Sequence, residues 1–423
     1  MQTGNIEHTA AAGRVEAQLK ALDALGRLML AGEFDLQTLL DEIVRLTATR
    51  LGAPFSALWL LDEATDRLVL RAVYGLPRSF LKNGPVFSGD SAFRAVMNRG
   101  RHTVHVYDVR RDGEVAHGAA ALAEGLGSMM AAPLFRRGRL LGSLAVYTSE
   151  PRRFTPEEHA LLRIVANQAA LAIELNRLHE ERVRYREIER DLAAAAEVQA
   201  RMLPARAPRL KGYRLSGWSH PWRYVGGDFY DYVRLSHGRL ALVIGDVSGK
   251  GVQAALLMAT IRAALRTQLE SCDDLPTVLR RVNRTLYRDT RPEQFVTLFV
   301  GILMPEDRAL TYVNAGHNPP LLFRARRARR LTRGGIPVGL MPDSDYEPGT
   351  VHLRPGDVLL LYTDGFTDVL CDHGRIFGEA RLKHAARELL HESPRTFIKK
   401  LDAALLRAGC AGDDRTAVVL KVT

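Results

Sequence analysis

Four aspartates in the C-terminal half of the chain each stand beside a glycine and next to a strand-like run of apolar residues. They are Asp228 in "VGGDFYD", Asp246 in "GDVSGKG", Asp364 in "YTDGFTD" and Asp413 in "AGDDRTAVVL". One such pair is ordinary turn chemistry, because glycine tolerates positive φ and aspartate accepts hydrogen bonds from nearby N–H groups. Four of them, without a matching histidine or cysteine cluster, instead predict a site for hard cations such as Mg²⁺ or Mn²⁺.

Length and composition indicate what kind of protein contains this site. A chain of 423 residues is too long for one ordinary core and indicates two or three domains. It has no run of about 18 apolar residues and no apolar signal core at its N-terminus, which predicts a cytoplasmic protein without a membrane span. The three cysteines are odd in number and lack Cys-x-x-Cys spacing, so we expect reduced, unpaired thiols.

The net charge of +11 is most concentrated in the segment "FRARRARRLTRGG". Apolar residues flank this segment, so it is predicted to be an arginine-rich hairpin. No helix-turn-helix, zinc-finger spacing or aromatic RNA-binding signature accompanies it, which argues against nucleic acid as a partner. A solvated face is one interpretation, and a docking surface for an acidic protein is the other. The arginines that would form the docking surface are Arg326, Arg327, Arg329 and Arg330.

The N-terminal half begins with apolar residues at helical spacing, followed by two pairs of strand-like runs. A helix-start signal from Thr155 to Glu158 then opens a long helix through "HALLRIVANQAALAIELNRL". This order, with the hairpin "APLFRRGRLLGSLAVY", resembles a GAF domain, and the resemblance covers residues 15–176. His102 and His105 lack a third ligand nearby, which favours packing over metal binding. The sequence does not identify a ligand for this domain.

The helix predicted to close this domain continues into a segment with partial heptad spacing. Its core positions are Leu171, Glu174, Leu178, Glu181, Tyr185, Ile188, Leu192, Ala195, Gln199 and Met202. Charged residues weaken the first half, and Pro204 ends the helix because proline cannot donate the next backbone bond. Residues 177–203 are therefore interpreted as a linker helix. A coiled coil that pairs two chains and a single amphipathic helix packed on its own domain both remain open.

Seven segments of the C-terminal half occur in a recognisable order: "AAAEVQARMLP", "VGGDFYD", "GDVSGKG", "NAGHNPPLL", "GGIPVGL", "YTDGFTD" and "DDRTAVVL". Together they resemble the bacterial sporulation-stage-II and stress-regulatory branch of the metal-dependent type 2C serine/threonine phosphatases. The resemblance implies an α+β chain: an N-terminal GAF domain with an antiparallel sheet and flanking helices, a connecting helix, and a β-sandwich flanked by helices. The phosphatase domain is expected over residues 204–423.

The resemblance also implies a set of ligands for two Mn²⁺ or Mg²⁺ ions. Asp246 would bridge both ions, and the backbone carbonyl of Val247 would be a further ligand. Asp228, aimed by the Gly-Gly bend, would hold the first ion, while Asp364 and Asp413 would hold the second. Three further aspartates are expected to support these ligands or the fold: Asp231, Asp368 and Asp414. The arginine that holds substrate phosphate in eukaryotic relatives has no clear replacement.

A metal pair of this kind lowers the pKa of a bridging water, so that hydroxide can attack phosphorus near neutral pH. The resemblance implies a phosphoserine or phosphothreonine on a STAS-domain anti-sigma-factor antagonist as substrate. It also implies a separate opposing anti-sigma-factor kinase and regulation through the GAF domain by an unknown signal. We further expect a homodimer.

Two other functions compete with this interpretation. The letters "GGDF" are also found in the diguanylate-cyclase turn, but Phe229 stands where that turn needs glutamate, and the other three Asp-Gly turns would be unexplained. The second alternative is a catalytically weak module of phosphatase shape that binds a phosphoprotein. Four aspartates at the ligand positions favour an enzyme.

Overall fold

The computed structural model describes residues 35–62, 64–65, 67–76, 102–111, 125–291, 293–371, 374–409 and 412–423. The chain forms two compact units, the first ending at Arg186 and the second beginning at Glu187. The domain limits expected from the sequence, 15–176, 177–203 and 204–423, stay predictions.

The described part of the first unit contains one antiparallel sheet and helical residues on one face of it. Its elements are α1 (Leu36–Arg50), β1 (Phe55–Asp62), β2 (Arg67–Tyr74), β3 (Val104–Val106), β4 (Met129–Arg136) and β5 (Arg139–Tyr147). The strand order is β2-β1-β5-β4-β3, which confirms both predicted strand pairs. The first part of the GAF-like segment, residues 15–34, lies outside the described residues.

Strand alternation sorts the residues of this sheet between two apolar clusters. Met130 and Ala132 of β4 lie in the cluster that includes α1, whereas Met129 and Ala131 lie in the cluster on the opposite face. Gly142 of β5 passes so close to the Trp59 carbonyl that a Cβ atom would overlap it. The sheet is therefore buried on both faces over its central strands.

The long helix α2 runs from Pro156 to Met202, a length of 47 residues. It begins with a reciprocal capping box, because Glu158 N–H donates to Thr155 Oγ1 and Thr155 N–H donates to the Glu158 carboxylate. Its end at Met202 agrees with the prediction that Pro204 stops the helix. Several large apolar side chains along it are exposed: Leu175, Leu178, Val183, Tyr185, Ile188 and Val198.

The first sheet of the second unit has the order β13-β10-β9-β8-β7, and β14 also pairs with β10. Its strands are β7 (Phe229–Arg234), β8 (Leu240–Val247), β9 (Val296–Met304), β10 (Ala309–Ala315), β13 (Gly334–Gly335) and β14 (Gly349–His352). Helices α3 (Val252–Ser271) and α4 (Leu275–Asp289) lie between β8 and β9 in the chain. They pack on the outer face of this sheet through one continuous apolar cluster.

The second sheet has the order β12-β11-β15-β16-β6. Its strands are β6 (Tyr213–His220), β11 (Leu321–Arg324), β12 (Arg327–Arg330), β15 (Val358–Tyr362) and β16 (Arg415–Val422). Its outer face carries α5 (Gly378–Glu388) and α6 (Pro394–Arg407). The arginine-rich hairpin is confirmed as β11 and β12, joined through Ala325 and Arg326, both of which have positive φ.

A third apolar cluster lies between the two sheets and joins side chains from both. Tyr230 and Leu242 contribute from the first sheet, and Leu359 and Val418 contribute from the second. The second unit is thus a β-sandwich with helices on both outer faces, and the predicted α+β fold class is confirmed. Among the described residues, no helix is long and apolar enough to cross a membrane.

The prediction of unpaired thiols is wrong for Cys371, which is disulfide-bonded, while Cys272 is free. An odd number of cysteines leaves room for one pair, and a disulfide between segments distant in sequence needs no Cys-x-x-Cys spacing. Cys410 lies outside the described residues.

Candidate metal centre

Asp228 and Asp246 meet at one end of the first sheet. Asp228 directly precedes β7, and Asp246 is the second-last residue of β8. Because Phe229 pairs with Gly245 in the antiparallel ladder, the two aspartates lie beside each other across the strands. Asp228 is 5 % exposed, so its carboxyl group is held away from bulk water.

Asp364 and Asp413 reach the same region from the second sheet. Asp364 begins a short 3-10 helix just after β15, and Asp413 lies two residues before β16, the antiparallel neighbour of β15. We refer to Asp228, Asp246, Asp364 and Asp413 as the carboxylate cluster.

Thr363 joins the two sheets at this point. Its hydroxyl donates to Asp228 Oδ2 at 2.6 Å and accepts from the Thr416 N–H at 3.0 Å. The backbone N–H of Thr363 also donates to the Thr416 carbonyl at 3.0 Å. Thr363 is fully buried and was missed in the sequence analysis, although it stands directly before Asp364. It fixes the position of Asp228 relative to the second sheet.

Burial and mutual repulsion dominate the electrostatics of the carboxylate cluster. Burial, with repulsion from Asp246, raises the pKa of Asp228 well above its ordinary value. Burial and repulsion from Asp364 raise the pKa of Asp246 to about 7. Burial and repulsion from Asp413 raise the pKa of Asp364 to about 6. Asp228, Asp246 and Asp364 therefore lack sufficient positive charge nearby, which is the condition that a bound cation relieves.

Asp413 and Asp414 have different bonding partners. Asp413 Oδ1 lies 2.9 Å from Lys250 Nζ. Asp414 accepts the Trp222 N–H through Oδ1 and the Gly227 N–H through Oδ2, both at 2.8 Å. Asp414 thus secures the backbone that leads into Asp228, which matches the supporting role expected for it.

The Gly-Gly bend before Asp228 is required by close packing, since neither glycine has positive φ. A Cβ atom at Gly226 would overlap the Asp414 carboxylate, and one at Gly227 would lie 2.9 Å from the Val247 carbonyl oxygen. That carbonyl, predicted as a metal ligand, therefore faces the bend. Gly226 is also held by Gln199, whose side chain donates to its carbonyl at 2.7 Å and accepts its N–H at 3.1 Å.

Asp231 and Asp368 lie outside the carboxylate cluster as defined above, and their surroundings differ from each other. Asp231 is 1 % exposed and forms ion pairs with Arg262 at 2.9 Å and Arg266 at 3.2 Å, both on α3. It therefore ties β7 to α3. Asp368 is exposed, lies one turn after Asp364 and contributes to the raised pKa of Asp364 by repulsion.

His317 of the motif "NAGHNPPLL" is a further buried group near the cluster, at 3 % exposure. Its Nδ1 lies 2.8 Å from Thr297 Oγ1, and Thr297 pairs with Asp246 between β9 and β8. Burial lowers the pKa of His317 to about 4, so the ring is neutral near pH 7. Its motif is one of the seven that carry the resemblance, but no role was predicted for this histidine.

His102 and His105 of the first unit have different surroundings. His102 is exposed, while His105 Nε2 lies 3.2 Å from the Arg152 carbonyl and its ring packs edge-on against Phe154. The interpretation of these histidines as packing residues is thus supported by the contacts of His105.

Most of the arginine-rich hairpin is paired within the chain. Arg326 contacts Glu388 at 2.7 Å and Arg330 contacts Glu379 at 3.3 Å. Among the described residues, no ion pair is formed by the other two predicted docking residues, Arg327 and Arg329, which are both exposed. The free charge of the predicted docking surface is therefore concentrated on these two.

The donor chemistry of the carboxylate cluster fits hard divalent cations, because it consists of carboxylate oxygens whose charges repel one another. Within the described part of the chain, however, no group of three or more histidine, cysteine, aspartate or glutamate side chains is arranged to hold a metal ion. The cluster is therefore not a ready-made coordination sphere. The assignment of Asp228, Asp246, Val247, Asp364 and Asp413 as ligands stays a prediction.

Comparisons with known proteins agree with this architecture. Residues 34–174 match the model of the GAF domain family, and residues 236–423 match that of the family described as Stage II sporulation protein E (SpoIIE). Protein IcfG of Synechocystis sp. is 32% identical over 45% of this chain and 35% of its own length. Phosphoserine phosphatase RsbU of Bacillus subtilis is 28% identical over 56% of this chain and 71% of its own length. The chain thus spans about a third of the first relative and more of the second.

Among solved structures, the SiaA-PP2C domain of Pseudomonas aeruginosa aligns with a TM-score of 0.52 and 23% identity, covering 56% of this chain and 98% of that domain. This likeness shows the fold of the second unit. The second unit therefore has the fold of a PP2C domain. More narrowly, the chain combines a GAF domain with a PP2C domain of the Stage II sporulation protein E type.

The raised pKa values of the carboxylate cluster predict a pH-dependent stabilisation by metal. Groups whose pKa is raised on folding stabilise the fold below their unfolded pKa, and this contribution is lost as pH rises through about 6 to 7. Mg²⁺ or Mn²⁺ should therefore raise the melting temperature more at about pH 7.5 than at about pH 5.5, by roughly 2–4 °C for each kcal/mol of repulsion relieved. Thermal unfolding with and without metal measures this difference.

Asp246→Asn is the control for this experiment, because it removes the central charge with little change in shape. The metal-free variant should lose less stability than the wild type as pH rises. Equal stabilisation of the wild type by metal at both pH values would contradict the assignment of the cluster as the metal centre.

Proposed function

We propose that this chain is a metal-dependent protein serine/threonine phosphatase that hydrolyses phosphoserine or phosphothreonine on a STAS-type anti-sigma-factor antagonist. The observation that carries the proposal is the convergence of four aspartates from two sheets at one end of the sandwich, with repulsion and burial raising the pKa of three of them. The relatives named phosphoserine phosphatase, RsbU and RsbP of Bacillus subtilis, support the choice of reaction.

Two Mn²⁺ or Mg²⁺ ions in this site would, when bound, provide an activated water and offset the charge of the phosphoryl oxygens. Asp246 would bridge them because it lies beside Asp228 across the β7–β8 ladder and close enough to Asp364 for repulsion from Asp364 to help raise its pKa. Thr363 and Asp414 would hold the ligand segments in place through the bonds described above. Asp364 and Asp413 are both only partly buried, so their carboxylates can be reached from the solvent.

The alternative is a phosphoprotein-binding module of the same shape with little or no turnover. It needs the fold and the docking surface, but it gives no reason for the buried, mutually repelling carboxylates, which are costly without a cation. Metal-dependent hydrolysis of p-nitrophenyl phosphate separates the two functions.

Replacement of the bridging aspartate tests the reaction directly. Asp246→Asn should lower Mn²⁺-dependent turnover of p-nitrophenyl phosphate by at least about a hundred-fold, since even residues that only support metal ligands commonly matter by 10–100-fold. Asp273→Asn, at an exposed position between α3 and α4, is the matched control and should keep wild-type turnover. Circular dichroism must show an intact fold in both variants. Near-normal turnover in Asp246→Asn would refute the assignment.

The substrate is proposed to be selected by protein docking rather than by the metal site. An open site at the surface offers few contacts to the residues around a phosphoserine, so specificity has to come from a larger interface. Arg327 and Arg329 supply positive charge for an acidic partner surface, whereas Arg326 and Arg330 are already paired. A separate kinase would restore the phosphate. Because the chain has to meet these partners, we propose a cytoplasmic location for it as well.

This docking proposal predicts a difference between a folded substrate and a peptide. A phosphorylated STAS domain should be hydrolysed far faster than the phosphopeptide that surrounds the same serine. The double substitution Arg327→Glu with Arg329→Glu should lower kcat/KM for the domain by roughly ten-fold through slower association and leave the peptide rate unchanged. The same charge change at exposed Arg281 and Arg288 of α4 is the control. Equal rates for peptide and domain would exclude docking.

Regulation is proposed to pass along α2. Its last turns carry Gln199, which bonds both backbone groups of Gly226, two residues before Asp228. A change in the register or pairing of this helix would therefore act on the backbone that carries a predicted metal ligand. The exposed Tyr185 and Ile188 lie at heptad core positions and favour a parallel homodimer. The alternative is a helix that serves only as a tether.

Insertions at Ala194 test the helix. Four added residues rotate the helix by about one turn and a further 40°, which should uncouple or lock the phosphatase, whereas seven residues leave the phase within about 20° and should preserve its behaviour. Basal turnover and Mn²⁺ affinity are the measurements, with sedimentation to follow the dimer. If the four-residue variant keeps wild-type turnover and affinity, α2 is only a linker.

A further inference from the structure

Lys250 lies on a short loop whose backbone fixes where its side chain begins. The loop connects the end of β8 to the start of α3, and the flanking Gly249 and Gly251 have φ of 95° and 75°, which favour glycine. Ser248 anchors the loop, because its N–H donates to the Phe295 carbonyl and its hydroxyl donates to the Glu293 carbonyl, at 2.9 and 3.0 Å. An exposed lysine is thus presented by a firmly held turn.

The ammonium group points at the carboxylate cluster. Lys250 Nζ lies 2.9 Å from Asp413 Oδ1, while the lysine side chain is 66% exposed. Among the described residues, Lys250 is the single cation that forms an ion pair with the cluster. The nearby Arg262 and Arg266 are bound to Asp231, and Arg415 is bound to Asp402. Such an exposed ion pair adds little to folding stability, so stability does not explain the lysine.

The chemistry of the site creates two competing uses for this ammonium group. Asp413 is a predicted metal ligand, and a divalent cation at the same carboxylate would displace a like-charged ammonium. The lysine side chain is flexible and solvated, so its displaced ammonium group can bind another anion at a small cost in free energy. The anion that enters this site is a phosphate monoester dianion, and the arginines already paired with Asp231 and Asp402 are not free to bind it.

We propose that Lys250 is the phosphate-binding residue of this enzyme: it pairs with Asp413 in the metal-free protein and donates hydrogen bonds to a phosphoryl oxygen once the site is loaded. Lys250 thereby fills the role that no arginine fills in the sequence. Because Lys250 would contact the phosphoryl group directly, we propose it as a catalytic residue. The proposal rests on the phosphatase function proposed above, and it names the group that recognises the phosphate.

The first test measures binding rather than turnover. Isothermal titration of inorganic phosphate into the Mg²⁺-loaded full chain should show affinity roughly ten-fold weaker for Lys250→Met, the loss typical of a charge-assisted hydrogen bond. Lys250→Arg keeps the charge and should stay within about two-fold of the wild type. Unchanged phosphate affinity in Lys250→Met, or an equal loss in Lys250→Arg, would overturn the proposal.

The second test measures Mn²⁺ binding to the metal-free protein without phosphate. Lys250→Met should bind Mn²⁺ several-fold more tightly than the wild type, because the ammonium no longer competes for Asp413. Unchanged or weaker Mn²⁺ affinity would overturn the idea that the two cations share this carboxylate.

Turnover of p-nitrophenyl phosphate by the wild type distinguishes a failure of this proposal from a failure of the proposed phosphatase function. A wild type without turnover that still binds phosphate through Lys250 would refute the phosphatase function alone. A wild type with turnover and a phosphate affinity independent of Lys250 would refute the phosphate-binding role alone.

Discussion

Repulsion among buried carboxylates is the constraint on which the second unit is organised. Asp228 and Asp246 come from one sheet and Asp364 and Asp413 from the other, so the sandwich has to bring like charges together at its end. Such an arrangement costs free energy unless cations or hydrogen bonds compensate it. The surrounding structure supplies part of that compensation through the Thr363 hydroxyl at Asp228 and the Lys250 ammonium at Asp413. The rest is left for a ligand, and for this reason we expect the site to respond to metal.

The backbone around the cluster is built from close contacts that tolerate little change. Gly226 leaves space for the Asp414 carboxylate and Gly227 for the Val247 carbonyl, so two adjacent residues are restricted by two different neighbours. Gln199 and Asp414 bind this segment through its backbone atoms, and neither contact depends on the side chains of the segment. The bend is therefore held in one position by bonds to its backbone.

The sequence was sufficient for the parts of this structure that follow from local pattern. Heptad and capping signals predicted a long helix that stops before Pro204, and the arginine-rich hairpin followed from apolar flanks around a charged turn. The four Asp-Gly pairs predicted which residues would gather at the site. Thr363, Gln199 and Lys250 were not predicted as contacts, because each bonds to a residue at least 27 positions away and no periodicity encodes such a pairing. The disulfide at Cys371 was also missed, because the sequence contains no local cysteine spacing that would indicate it.

The order of strands in the second sheet has a consequence for how the protein is made. Strand β16, the last element in the chain, lies between β15 and β6, which are among the last and the first strands of the second unit. During synthesis, the early strand β6 has no hydrogen-bonding neighbour in its sheet until residues 415–422 have left the ribosome. A nascent chain can form the first sheet with Asp228 and Asp246, but it has neither Asp413 nor the strand that holds Thr363 through Thr416. The carboxylate cluster is therefore complete only when residues 413–422 are present, because they supply both Asp413 and the backbone partner of Thr363.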